Sequence, residues 1–319
     1  MASPRSARLA TLLLVLLPPL GCARAQAFQP RPIPNYEVEA YTFQSLSMGL
    51  RFAVQVGLPR GYKPGASTRR YQALIVTDGD FAFPSVLEAS RALASEGAID
   101  SLFVVSIGVA REEGEEEWGR RRVWEFSPPD WDRKDPFGQV VTSACATFKV
   151  APDHCTGGAP QFLGVITGEL VPRLLERYPI DRDGLGLAGL SAGGFFTVWA
   201  MFQPGVPFRK YIISSPAMAY GNGEAFRLEE RYAQANKDFP VSIYMAAGAL
   251  EMEHPFLEGV GQIVSGMVRL TARLRERNYP GLHLTTEIHP GMSHSDVFGT
   301  VMVRGMRTVY GRQAAPTAR

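Results

Sequence analysis

Hydrophobic and polar residues change their spacing in blocks along this chain. "EVEAYTF" and "RFAVQVGLP" alternate apolar and polar positions, the two-residue period of strands. "YQALIVTDGD" and "SLFVVSIGV" are instead continuous apolar runs, suited to buried parallel strands, and the first ends in the turn signal Asp78-Gly79-Asp80. "FPSVLEASRALASEG" returns to helical spacing and stops at Gly97. "QFLGVITGELVPRLLERY" is also helical. Then "GLGLAGLS" reads as a strand, and "AGGFFTVWAMFQPG" as a helix stopped by Pro204-Gly205. "KYIISSPAM", "VSIYMAAGALE" and "LHLTTEIHPG" give three further strands. A long amphipathic helix is expected between the last two, over residues 256–278, and the C-terminal segment looks helical.

Buried strands alternating with helices predict an α/β fold with a mostly parallel central sheet flanked by helices. Residues 111–160 break the rhythm. They are polar, proline-rich and aromatic, and they read as a loop-rich insertion with no core of its own, of the kind that serves as a lid or binding loop. The remainder, residues 26–319, is expected to form one domain.

Residues 1–25 are set apart from the fold. Arg5 and Arg8 precede an apolar run, and Ala23-Arg24-Ala25 fits a cleavage site, so they predict a secretory signal and an exported protein, periplasmic or secreted. The run is too short to span a membrane. Lipid attachment at Cys22 is the rival, weakened by Pro19 where leucine is wanted. Export leaves Cys145 and Cys155, an even pair in an oxidising compartment, for which a disulfide is expected.

Composition narrows the chemistry. The 319 residues carry 33 Lys+Arg against 31 Asp+Glu, with no basic stripe for nucleic acid. No cysteine–histidine spacing suits a metal, so neither metal nor cofactor is expected, and monomer is the default state. What stands out is Gly189-Leu190-Ser191-Ala192-Gly193, placed between an expected strand and an expected helix. Glycines at both ends permit a sharp turn that pushes the Ser191 hydroxyl outward. The Ala192 amide can then face a developing oxyanion at a helix N-terminus. The alternative is a small residue in a tight connection.

A serine nucleophile needs a base, which comes last in the chain in this arrangement. His294, in the loop after the final strand, is the candidate, with His289 its rival. The third group is a carboxylate just past the preceding strand: Glu251, with Glu253 as rival. A second oxyanion donor is expected from the amide of Gly79 or Asp80. The run "REEGEEEWGRRRVWEF" is either a solvated loop or a source of substrate contacts, Arg121 or Arg122 for an anion and Trp118, Trp124 or Trp131 for flat apolar groups.

These residues carry a resemblance. "VQVGLPRGY", "ALIVTDGD", "RRRVWEFSPPD", "GGAPQFLGVITGELVPRLLERY", "GLAGLSAGGFF", "AGALE" and "HPGMSHSDVF", in that order over most of residues 50–300, resemble the putative esterase family of α/β-hydrolases, which holds esterase D-like and enterochelin-esterase-like proteins. The resemblance implies a metal-independent serine hydrolase acting on small-molecule esters or lactones, with Ser191 as nucleophile, His294 as base and Glu251 as acid. Exported siderophore trilactone hydrolases look nearest. The cysteine pair and the acidic run at residues 112–117 depart from them and leave the substrate open. Two other functions fit the same residues: an acyltransferase of the same fold, and a non-catalytic ligand-binding protein on a hydrolase scaffold.

Overall fold

Adjacent residues of the central strands feed opposite cores. In β3 (Tyr71–Val76), Ala73 and Ile75 point to one side and Leu74 and Val76 to the other; in β4 (Phe103–Gly108), Phe103 and Val105 oppose Val104. Both strands therefore carry continuous apolar stretches, Ala73–Val76 and Phe103–Val105, as their runs foretold. The computed structural model describes residues 37–65, 69–129 and 131–312. Residues 1–25, with the expected signal and Cys22, lie outside them.

The sheet has eight strands. Besides β3 and β4 these are β1 (Val38–Gln44), β2 (Arg51–Gly57), β5 (Ile180–Leu190), β6 (Lys210–Ser214), β7 (Ser242–Gly248) and β8 (His283–His289), in the order β1-β2-β4-β3-β5-β6-β7-β8. β1 pairs antiparallel with β2, and β2 with β4; β4 to β8 are mutually parallel. The carboxyl ends of those six strands thus share one edge, where ligands bind in open α/β sheets. This is the α/β fold expected from the alternation of elements.

One face is covered by α1 (Gly79–Ser95) and α9 (Val297–Val309), which bury Val86, Val301 and Met302 against Leu74, Val104 and Tyr244. The other carries α6 (Ala192–Met201), α7 (Glu224–Ala235) and α8 (Ile263–Glu276). All ten residues of α6 are buried, which explains its lack of a polar stripe. The helix expected over residues 161–178 runs as α4 (Ala159–Gly164), a π-turn over Val165–Leu170, and α5 (Val171–Arg177).

Two expectations need correction. Residues 111–160 are not loop-rich: they form α2 (Gly114–Glu125) and α3 (Pro136–Thr147), and Cys145 is joined to Cys155 by a disulfide, Cα atoms 5.5 Å apart. α2 has Glu115, Glu116 and Glu117 in its first turn and Arg122 in its last, charges that suit the helix dipole. α3 starts at Pro136 behind Asp135, whose carboxylate accepts the Gly138 amide at 2.9 Å. The second correction shortens the amphipathic helix. Residues 256–261 are turns, and the Glu258 carboxylate accepts the amides of Val264 (2.9 Å) and Ser265 (3.2 Å) and so caps α8 from outside. Among the described residues, no helix is long and apolar enough to cross a membrane.

Candidate active site

A single residue turns the chain from β5 into α6. Ser191 does so at φ 59°, ψ −115°, a conformation costing a residue with a Cβ about 1–3 kcal/mol. Neighbouring glycines make the turn possible. A Cβ on Gly189 would run into the carbonyl of Gly193; one on Gly193 would stand 2.6 Å from Thr77 Oγ1 and 3.1 Å from Asp78 Oδ2. The turn is tied on both sides: the Ser191 amide donates to the Ser214 carbonyl (3.0 Å), and the Ala217 amide donates to the Ser191 carbonyl (3.1 Å). Ser191 itself remains half-buried.

The amide of Ala192 opens α6, so it has no acceptor within the helix. The amides of Gly79 and Asp80 open α1 in the same way, behind Asp78, which takes φ 61°. The two helix starts are neighbours because β3 pairs with β5 and the Thr77 amide donates to the Ala188 carbonyl at 3.0 Å. Gly79 packs against Gly108, where a Cβ would stand 3.1 Å from its Cα. Three backbone donors thus lie at the two neighbouring helix starts, one of which follows Ser191.

Glu251 and His294 meet past the ends of β7 and β8. Glu251, just past β7, is 1% exposed. Its Oε1 pairs with His294 Nδ1, while its Oε2 accepts the Gly248 amide (2.6 Å) and the Ser215 hydroxyl (2.8 Å). The His294 loop is laid directly on this turn: the Leu250 amide donates to the Met292 carbonyl at 3.0 Å, and a Cβ on Gly248 would strike that carbonyl. With Nδ1 engaged by the carboxylate, Nε2 is the imidazole atom left to exchange a proton. Ser215, at φ 44°, follows the Ser214 that holds the Ser191 amide, so one short segment after β6 touches both Ser191 and Glu251.

The rivals sit elsewhere. Glu253 is exposed. His289 is buried at the end of β8, 3.1 Å from the Tyr244 hydroxyl, and burial holds its pKa below the ordinary histidine value. It belongs to the sheet edge rather than to the Glu251 pair.

The charged run meets the site differently from the sequence expectation. Arg121 does not reach out for an anion: it is 4% exposed, donates to Glu125 Oε1 and to the Arg51 carbonyl, both at 2.6 Å, and lies over the Phe52 ring. Burial pushes the Glu125 carboxyl up to about 7, against the pull of Arg121. Arg122 grips Asp78 with two donors, Nε to Oδ1 at 2.7 Å and Nη2 to Oδ2 at 3.1 Å, and Nη2 also donates to the Leu190 carbonyl at 3.1 Å. Burial works to lower the Arg122 pKa, but the Asp78 carboxylate outweighs it and raises it. Trp124 packs on Gly158 and against the His154 ring, 4.9 Å away, beside the disulfide. Trp131 donates to Asp135 at 2.6 Å.

A family model described as "Putative esterase" matches residues 45–255, about two thirds of the chain, and the matched stretch carries Ser191, Glu251 and α2. The chain belongs to this esterase family. A curated relative, the ferri-bacillibactin esterase BesA of Bacillus subtilis (strain 168), is 30% identical over 105 residues, which span 32% of this chain and 36% of that protein. The BES protein from Bacillus cereus superposes with a TM-score of 0.70 at 23% identity, covering 89% of this chain and 99% of that one. The siderophore hydrolase EstA from Aspergillus nidulans gives 0.72 at 18%, covering 88% and 97%. These likenesses establish the α/β fold of siderophore-esterase-like proteins. His294 lies beyond the residues matched by the esterase family model, so its place beside Glu251 rests on the geometry alone.

Sequence reasoning passed over two members of the site. Ser215 had a local signal, a polar pair closing the strand "KYIIS". Asp78 was read only as part of a turn, and its partner Arg122 stands 44 residues away.

Proposed function

We propose that the protein is an exported serine esterase that hydrolyses carboxylic esters or lactones through an acyl-enzyme. The observation that carries this reading is Ser191 in its left-handed turn at the mouth of α6. Ser191 Oγ attacks the ester carbonyl, and His294 Nε2 takes its proton. Glu251 orients the imidazole through Nδ1 and stabilises the imidazolium. The Ala192 amide and that of Gly79 or Asp80 receive the oxyanion. His294 then protonates the leaving alcohol, and later activates water to release the acid. Export is supported by the pattern of residues 1–25 and by the cysteine pair. The relatives, a ferri-bacillibactin esterase and a siderophore hydrolase, point to siderophore esters as one substrate branch.

Purified protein lacking residues 1–25, assayed on 4-nitrophenyl butyrate, should show steady turnover. Ser191→Ala and His294→Ala should each lose about three or more orders of magnitude in kcat. Turnover by Ser191→Ala equal to that of the parent would overturn the proposal. Added alcohol that captures most of the acyl group would assign the site to acyl transfer instead.

A further inference from the structure

The charge placed around the site differs from what an anion-binding pocket needs. The connections leaving β3, β5, β6, β7 and β8 at the carboxyl edge contain no lysine or arginine, yet they carry Asp78, Glu251, Glu253, Glu258 and Asp296. Among the described residues, the cations that reach this edge from elsewhere are also matched, Arg51 at the start of β2 by Glu112 and Arg227 on α7, which donates to the Gly221 and Asn222 carbonyls, by Glu224. The long connection after β4 carries more acids than bases. The three arginines of α2 are each matched by a carboxylate of the chain itself: Arg120 by Glu117, Arg121 by Glu125 at 2.6 Å, and Arg122 by Asp78 at 2.7 Å. Beyond them Glu115, Glu116 and Glu253 are exposed. An approaching anion meets negative charge and no unmatched guanidinium on α2.

Large apolar side chains stand exposed on these connections and near the starts of the helices α1 and α2. Phe81, two residues past Gly79, is 64% exposed. Leu250 and Met252, on either side of Glu251, are 46% and 54% exposed. Trp118 is 37% exposed, and its ring lies under the Arg122 guanidinium at 5.2 Å. Apolar groups of this size kept in water at a site's edge mark a surface that a ligand covers.

We propose that this site is built for neutral, apolar esters and turns away esters that carry negative charge. The inference rests on the esterase reading and narrows its substrate. Apolar acyl or alcohol groups are received by Phe81, Trp118, Leu250 and Met252. The acidic surroundings lower the local concentration of anionic substrates, an effect that salt screens.

The test compares two esters of equal chain length, 4-nitrophenyl butyrate and 4-nitrophenyl hemisuccinate, the second bearing a terminal carboxylate. At about 10 mM ionic strength, kcat/KM should favour the butyrate by about tenfold or more. The ratio should shrink severalfold at about 1 M, where the Debye length is about 3 Å. Glu116→Lys combined with Glu253→Lys should raise kcat/KM for the hemisuccinate and leave the butyrate nearly unchanged. Phe81→Ser with Met252→Ser should lower kcat/KM for the hexanoate ester severalfold and spare the acetate. Equal or better turnover of the hemisuccinate, or a preference indifferent to salt and to the charge reversals, overturns the inference alone. Failure to turn over any of these esters overturns the esterase reading and this one with it.

Discussion

Ser191 concentrates the cost of the site in one backbone conformation. At φ 59°, ψ −115° the serine is strained, whereas glycine adopts that geometry readily. Ser191→Gly and Ser191→Ala should therefore both be inactive yet differ in stability, the glycine variant being more stable by about 1 kcal/mol after its greater unfolded-chain entropy is counted. Urea denaturation of the two variants side by side checks this; a glycine variant less stable than the alanine variant would mean that the turn is unstrained. The same residue was the easiest to read from sequence, because everything it needs is local: a strand, two flanking glycines and a helix. His294 and Glu251 were legible through chain order. Ser215 was not, since its value lies in reaching Glu251, 36 residues away, at 2.8 Å.

At the scale of elements, α2 braces the oxyanion region. Arg122 joins the β3–α1 turn, through Asp78, to the end of β5, through the Leu190 carbonyl. Both helix starts proposed to offer amides to the oxyanion are thereby tied together. Arg122→Lys keeps the charge but loses the two-pronged grip. It should lower kcat by about tenfold to a hundredfold while moving KM little, since small displacements of positioned groups are costly. Asp78→Asn should behave alike; a change confined to KM would argue that Arg122 binds substrate directly. From sequence, Arg122 read as either a solvated charge or a contact for an anionic substrate. Its partner came from another element, and pattern alone carries no such information. The helical character of α2 and α3 was nearer to hand, in acidic first turns and an Asp-Pro start. Glycine and proline there outweighed those cues. Gly259 and Gly261 were, conversely, absorbed into a helix that in fact begins at Ile263.

For the molecule as a whole, the antiparallel edge is fastened by a carboxylate with a pH signature. Glu169, in the π-turn before α5, accepts from Ser45 Oγ (2.8 Å), the Leu46 amide (3.0 Å), and the amide (3.1 Å) and hydroxyl (2.7 Å) of Ser47, which close the β1–β2 turn. Burial acts to raise its pKa, but the hydrogen bonds overcome it and bring it down to about 2. A depressed carboxylate stabilises the fold above its ordinary value of 4.5, and that contribution is lost as pH falls through about 2. Glu169→Gln should therefore flatten the decline of stability between about pH 4.5 and 2, read as urea midpoints across that range; an unchanged slope would refute the assignment. The mostly parallel sheet followed from the apolar runs of its central strands, because burial on two faces leaves a mark in the sequence; the order of the strands was not legible there. The long ties between elements left no mark either. The Arg122–Asp78 tie bears on how this scaffold can diversify. A connection that only shaped the pocket could be traded between relatives as a cassette. Here the cassette after β4 also supplies a bolt for the backbone of the catalytic edge, so exchange must carry the matching acid with it. Loop grafts that ignore that pairing would trade away the reaction along with the specificity.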